Sequence, residues 1–316
     1  MEMGTTYYAA SGSNNHACAF LAQRFNAAWG YRPNDSECWV VGLCPGDESD
    51  ESSVTLLRGT TGWLTGLWRS DEGYVFVCDA DGYVLWLPSH HCSDFPDSAW
   101  NELKLKGSLT GIWGLSSRMV FAWGGTRTAP VLYQWDGTAW NDVKPPSFEI
   151  VAMHGLSADL IWASGPNGQV ARRVGDTWDE QRTPVGDSLT SVFVAAPNEY
   201  YAASNFGSIL EGSDFGWAKI GEIPGALQGD VQAVAKWNGD LWVAASRLGL
   251  WRRIDKGNQY DCVKDNLVPV SLDVRGELLA GCEDGIGSSL DGKSFAFSAE
   301  SSVLDARDGK DLCDFG

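Results

Sequence analysis

The chain has 316 residues, of which 41 are acidic and 23 basic, for a formal charge of −18. Such a field repels phosphate backbones and attracts cationic surfaces, which argues against nucleic-acid binding and for a basic protein partner. No apolar run approaches the roughly 18 residues of a membrane span, and the opening MEMGTTYYAASGSNN has neither the basic nor the apolar region of a signal peptide, so a cytoplasmic protein without membrane contact is expected.

In chain order, Tyr7-Tyr8-Ala9-Ala10-Ser11 and Ala17-Cys18-Ala19-Phe20 read as two short strands. Ala27-Ala28-Trp29-Gly30 then ends a first strand, and Cys38-Trp39-Val40-Val41-Gly42 forms a second. Val54-Thr55-Leu56-Leu57-Arg58 forms a third, with little room for a fourth before Leu64. A clearer phrase follows. Thr65-Gly66-Leu67-Trp68 precedes Tyr74-Val75-Phe76-Val77-Cys78, and Thr110-Gly111-Ile112-Trp113 precedes Met119-Val120-Phe121-Ala122-Trp123. A period of about 40 residues built from short strands marks a solenoid or a propeller.

His154, Phe193, Ala235, Asp273 and Asp305 end the first strands of later units at the same period. Val131-Leu132-Tyr133-Gln134-Trp135 and Gly249-Leu250-Trp251-Arg252-Arg253 are third strands. Ala99-Trp100-Asn101-Glu102-Leu103 and Ala139-Trp140-Asn141-Asp142-Val143 are fourth strands. These runs are rich in aromatic and β-branched residues. Asp81-Gly82, Asp136-Gly137, Asn167-Gly168 and Asn238-Gly239 fall between them, where tight hairpins need positive φ.

The expected fold is all-β, a single β-propeller over residues 1–316 made of four-stranded antiparallel blades. Counting favours eight blades, because the two leftover ends together make about one more period. Seven is the alternative if one unit is degenerate. In the eight-bladed reading Ser302–Asp305 and Asp311–Cys313 are strands one and two of a last blade, and Tyr7–Ser11 and Ala17–Phe20 are its strands three and four. Both chain ends would then zip the ring shut.

Most of the 16 tryptophans sit at repeated positions, which points to packing in the wedges between blades rather than to a sugar-stacking array. Cys38, Cys78 and Cys282 lie among apolar strand residues and read as reduced thiols buried like small hydrophobes.

Between third and fourth strands the chain resembles the BNR or Asp-box repeat, roughly Ser-x-Asp-x-Gly-x-x-Trp. Ser289-Leu290-Asp291-Gly292-Lys293-Ser294-Phe295 is the best match, and Trp135-Asp136-Gly137-Thr138-Ala139-Trp140 is a degenerate one. The repeat is also similar to that of Trp-rich bacterial propellers of unassigned role. The resemblance implies a structural turn and a propeller. It also raises sialidase activity, which would need an arginine triad, a Tyr–Glu pair and an Arg-Ile-Pro motif. No Arg-Ile-Pro occurs, and Arg24, Arg32 and Arg58 have no matching context.

Other chemistry is poorly supported. His154 occupies a position held elsewhere by Trp or Phe, so it reads as a packed residue near the channel. His90-His91-Cys92 with Asp94 lacks a second ligand cluster at zinc spacing. Asp79-Ala80-Asp81-Gly82 lacks the remainder of a calcium loop. No catalytic residue, metal or cofactor is expected.

One run exceeds what the repeat needs. Pro45-Gly46-Asp47-Glu48-Ser49-Asp50-Glu51 is read as the link between the second and third strands of unit one. Asp79, Asp81, Glu283 and Asp284 occupy the same kind of link in units two and seven. Loops on a rigid scaffold commonly carry binding. The candidate partner-binding set is therefore Asp47, Glu48, Asp50, Glu51, Asp79, Asp81, Glu283 and Asp284, opposite a mixed half carrying Arg127, Asn167, Phe206 and Arg247. The expected function is a non-catalytic scaffold for a basic protein. It could take the form of an immunity-type inhibitor of a cationic toxin, with a carbohydrate-binding propeller or an assembly factor as the alternatives.

Overall fold

Strand pairing in the computed structural model, which describes residues 3–13, 17–26, 37–44, 53–88, 99–254 and 257–298, gives seven four-stranded antiparallel sheets. Each is a blade formed by consecutive strands. Blade one is β1 (Met3–Gly12), β2 (Cys18–Asn26), β3 (Glu37–Cys44) and β4 (Ser53–Thr60). Blade two is β5 (Leu64–Arg69), β6 (Val75–Asp79), β7 (Tyr83–Leu87) and β8 (Asn101–Lys104). Blade three is β9 (Leu109–Ser116), β10 (Met119–Thr126), β11 (Ala129–Trp135) and β12 (Trp140–Asp142). Blade four is β13 (Ala152–Ser157), β14 (Leu160–Ser164), β15 (Gln169–Val174) and β16 (Thr177–Arg182). Blade five is β17 (Leu189–Ala196), β18 (Glu199–Ser204), β19 (Ser208–Ser213) and β20 (Gly216–Glu222). Blade six is β21 (Ala233–Trp237), β22 (Asp240–Ala244), β23 (Leu250–Arg253) and β24 (Tyr260–Lys264). Blade seven is β25 (Pro269–Asp273), β26 (Leu278–Cys282), β27 (Gly285–Ser289) and β28 (Ala296–Ser298).

The first strands of successive blades touch one another around the ring, and β1 meets both β25 and β5. The ring therefore closes with seven blades, not the eight favoured by counting. The terminal strands are also reassigned: β1 and β2 are strands one and two of a blade completed by β3 and β4. Burial shows why. Cys18, Ala19, Phe20, Leu21 and Ala22 are all buried, as a central strand covered on both faces requires, whereas an outer fourth strand such as β8 is exposed throughout. The run 54–58 is itself a fourth strand, so nothing is missing before Leu64. Trp29, the segment 302–305 and the segment 311–313 lie outside the described residues.

The core fills the wedges between blades. Trp68, Phe76 and Cys78 of blade two pack with Leu109, Ile112, Tyr133 and Trp135 of blade three. Trp39, Trp123, Trp162 and Trp242 are buried. Burying one such ring removes on the order of 200 Å² from water, worth about 5 kcal/mol before entropy is counted. The Thr-Gly-aromatic phrase works at these seams. A Cβ on Gly66 would lie 2.9 Å from the Ile112 amide of the next blade, and one on Gly111 would lie 2.3 Å from the Trp123 ring of its own blade. Thr65 Oγ1 donates across the seam to the Leu109 carbonyl at 2.9 Å.

Turn chemistry follows the sequence. Asn167 and Asn238 hold φ of 56° and 49°. Asp136 Oδ1 accepts from the Thr138 and Ala139 amides, and Asp291 Oδ1 accepts from the Lys293 and Ser294 amides. Both carboxylates thus brace a turn between a third and a fourth strand. Cys38, Cys78 and Cys282 are buried and unbridged.

Candidate functional site

One position on each first strand faces the centre of the ring. It is recognised by register, because it pairs with the same point on the second strand of its own blade. Trp68 pairs with Phe76, Trp113 with Phe121, His154 with Trp162 and Phe193 with Tyr201. Ala235 pairs with Trp242, Asp273 with Leu279, and Ser11 with Ala19. The innermost residue of blade one is therefore Ser11, where the sequence pattern placed Trp29.

Read around the ring, the central wall is divided. Blades two to five contribute Trp68, Trp113, His154 and Phe193. Blades six, seven and one contribute Ala235, Asp273 and Ser11. On the aromatic side the rings cover one another. Trp113 stacks on Phe121 with an interplanar angle of 13°, and His154 lies 4.3 Å from Phe193 between ring centroids. The packing is close: a Cβ on Gly114 would stand 2.6 Å from the Trp68 ring.

At three seams the innermost side chain accepts a backbone N–H from the next blade. His154 Nδ1 accepts from the Val194 amide at 3.0 Å. Asp273 Oδ2 accepts from the Gly12 amide at 3.0 Å, and Ser11 Oγ from the Arg69 amide at 3.0 Å. The first bond leaves the His154 proton on Nε2, toward the channel. Enclosure between Trp113 and Phe193 disfavours the imidazolium and pushes the His154 pKa down to about 4.

The polar half carries a latch where the last blade meets the first. Arg275 Nη2 donates to Asp273 at 2.7 Å and to Ser11 Oγ at 2.9 Å, while Nη1 reaches Asp71 at 3.1 Å and the Arg69 carbonyl at 2.5 Å. Its guanidinium lies 5.7 Å from the Trp68 ring centroid. Burial would push the Asp273 carboxyl up, but the Arg275 charge and hydrogen bonds outweigh it and hold the pKa below the ordinary value. Burial likewise pushes Arg275 down, and Asp273 and Asp71 more than restore it.

These groups open into a cavity of about 660 Å³ at the end of the channel where first strands turn into second strands. Trp68, Trp113, His154 and Phe193 line one side, and Asp273 and Arg275 the other. Asp71, Glu72, Glu199 and Lys236 stand at its edge, with Lys236 paired to Glu199. With His154 neutral, the mouth carries more carboxylates than cations.

The residues singled out from sequence are distributed differently. Asp79 is buried, and its Oδ1 accepts from the Tyr83 amide at 2.8 Å, so it braces the β6–β7 turn. Desolvation raises its pKa. Asp81, Glu283 and Asp284 are exposed between second and third strands, at the opposite end of the ring from the mouth. On their side of the ring, Arg247 is paired to Asp230 at 2.7 Å, and Phe206 is exposed. Asp47, Glu48, Asp50 and Glu51 lie outside the described residues. The paired strand ends on either side of that run, Cys44 and Ser53, belong to third and fourth strands. They stand at the mouth end, not at the end shared by Asp81 and Glu283. His90, His91, Cys92 and Asp94 are also outside the described residues.

The sequence named Asp273 only as a marker of the period, and read His154 as a packed residue near the channel. It missed Ser11, Asp71, Glu72, Glu199, Lys236 and Arg275, which lie in or beside the turns between first and second strands. Their recurrence at these turns is a weak signal, because each turn differs in length and residue type.

No protein-family model matches this sequence, and no curated protein matches it. The architecture decides the fold. This chain is a β-propeller. Among solved structures it is similar to the WD40 β-propeller domain of Doa1, with a TM-score of 0.68, 11% identity, and 96% of this chain and 95% of that one covered. It is also similar to YCF48, solved bound to a D1 peptide, with a TM-score of 0.60, 12% identity, and 90% and 95% covered. At these identities the likeness is one of fold.

Proposed function

We propose that this propeller is a non-catalytic cytoplasmic scaffold that captures a basic protein partner. The observation that carries the reading is the divided channel mouth: a rigid aromatic wall facing ionisable groups with carboxylates in excess. The formal charge of −18 supports the same partner chemistry and the field that steers a cationic partner toward the protein. A peptide bound to the similarly folded YCF48 supports a propeller ring as a peptide platform. His154 favours binding over acid–base chemistry, since a pKa of about 4 makes its imidazole a weak base. Within this class, an immunity-type inhibitor of a cationic toxin domain is the form that uses charge-steered capture most directly. An assembly factor would present the same surface. The third-to-fourth-strand turns at Asp136 and Asp291 support reading the repeat as a degenerate Asp-box.

The reading is tested by co-purification from the native host at low and high salt. A stoichiometric basic protein retained at low salt is the expected result, and recovery of none at either salt removes the proposal. Carbohydrate binding is the second reading, favoured by Trp113 and Phe193 standing near Glu72 and Glu199 in the same cavity. It is disfavoured because stacking partners already cover these ring faces. A glycan array giving specific binding that persists at high salt would reverse that preference.

A further inference from the structure

We infer that the channel mouth is where the partner is held, and that it receives a lysine or arginine side chain from an extended basic segment. This rests on the scaffold reading and adds the site and the chemistry of the occupant. The protein itself shows how the mouth holds a guanidinium. Arg275 lies against the Trp68 ring with Asp71 and Asp273 on either side, bonded also to a carbonyl and a hydroxyl. That set combines cation–π contact with charge-assisted hydrogen bonds. Capacity for a second cation remains. Among the described residues Arg275 engages Asp71 only through Oδ1, and the Asp71 side chain is 75% exposed. Glu72, next to it on the cavity edge, is exposed and makes no ion pair among the described residues.

The surrounding turns point the same way. In and beside the turns between first and second strands the described chain places Asp71, Glu72, Asp159, Glu199, Asp240, Asp273 and Glu277 against Arg69, Arg118, Lys236 and Arg275. An incoming cation thus meets unneutralised carboxylates at the rim, with Trp113, His154 and Phe193 beyond. Those rings cover one another, so they act as a rigid apolar wall for a side-chain stem rather than as open stacking faces. The neutral His154 adds no repulsion, and its Nε2–H can donate to a backbone carbonyl of the segment.

The test titrates the intact protein with a capped hexa-arginine peptide and with its neutral citrulline counterpart, by calorimetry at low salt. Glu72→Lys is compared with Asp176→Lys, a charge reversal of the same size at an exposed turn outside the mouth. The imidazole resonance of His154, one of four histidines, reports occupancy by NMR. The expected result is binding of the arginine peptide alone, weakened about 10-fold by Glu72→Lys and no more than about 2-fold by Asp176→Lys. The His154 resonance should shift on titration of the unaltered protein. Equal weakening by the two reversals, or a His154 resonance that stays in place at saturation, overturns the assignment. Co-purification separates the two levels of the argument. A partner captured equally by unaltered and Glu72→Lys protein removes this site and leaves the scaffold. A partner captured by neither removes the scaffold.

Discussion

Replacing Arg275 by methionine tests the seam between the last blade and the first. Met keeps much of the aliphatic stem and deletes the guanidinium. Asp273 would lose its 2.7 Å partner and keep the Gly12 amide, the Ser11 hydroxyl and the backbone amide of residue 275, at 3.0, 3.2 and 3.4 Å. The Asp273 side chain is 15% exposed, so water replaces little of what is lost. Orphaning a buried charge costs about 3–5 kcal/mol. The remaining three hydrogen bonds place this case at the lower end, at about 3 kcal/mol. With a urea m-value of ~3 kcal/mol/M, the unfolding midpoint should fall by about 1 M. Adding Asp273→Asn removes the orphaned charge and should recover more than half of the loss, because the two sites are directly coupled. The pH dependence provides a check of sign. The folded Asp273 pKa lies below its ordinary value, so its contribution is present above the unfolded value of about 3.9 and is lost as pH falls through the lower folded value. Arg275→Met should flatten that acid limb. A loss below about 1 kcal/mol, or a double variant no more stable than the single one, would refute the claim that this latch closes the ring.

The remaining expectations concern the wall, the seams and the thiols. His154 titrates near 6.5 when unfolded and at about 4 when folded. The folded state therefore loses on the order of 2 kcal/mol as pH drops from 6.5 towards 4, and His154→Phe should abolish this slope in urea titrations across that window. Gly111→Ala forces a Cβ to 2.3 Å from Trp123 and should cost about 2–3 kcal/mol by overpacking. Gly186→Ala meets nothing within 4 Å and should change the midpoint by less than about 0.5 kcal/mol. Among the cysteines with described side chains, native-state maleimide should modify exposed Cys262 and spare the buried Cys18, Cys38, Cys78 and Cys282. Rapid labelling of the buried four would contradict the packing.

The fold was legible because packing repeats. Thr65-Gly66 and Thr110-Gly111 recur since the glycine makes room for a close neighbour, the next blade's Ile112 backbone at Gly66 and the paired Trp123 ring at Gly111, while the threonine hydroxyl bonds a backbone carbonyl. Asn167-Gly168 and Asn238-Gly239 recur since each hairpin needs positive φ. Blade count failed at blade one. Its innermost residue is Ser11, and neither its size nor its neighbours mark it as the counterpart of Trp68. An aromatic search passes over Ser11 and settles on Trp29, which shifts the strand order of the whole unit. The same shift moved the acidic run from a link between strands two and three to one between strands three and four.

The position that misled the count is also the one that forms the site. A wedge-filling aromatic at the innermost position completes the apolar wall. Where blades seven and one carry Asp273 and Ser11 instead, the amides of Gly12 and Arg69 are met by side-chain oxygens. The polar half of the channel is thus produced by the bonds that join the chain's first and last blades. Among the described residues no strand is shared by these two blades; Tyr7 and Phe20 pack on Leu279 and Ile286 between them, and Arg275 and its carboxylates tie them from within the channel. Those carboxylates can serve a binding site only to the extent that the latch does not consume them. Asp273 is committed to the seam. Asp71 is committed through one oxygen, and Glu72 has no ion pair among the described residues. Glu72 substitutions should therefore alter ligand capture while leaving the urea midpoint unchanged, and Arg275 substitutions should move both.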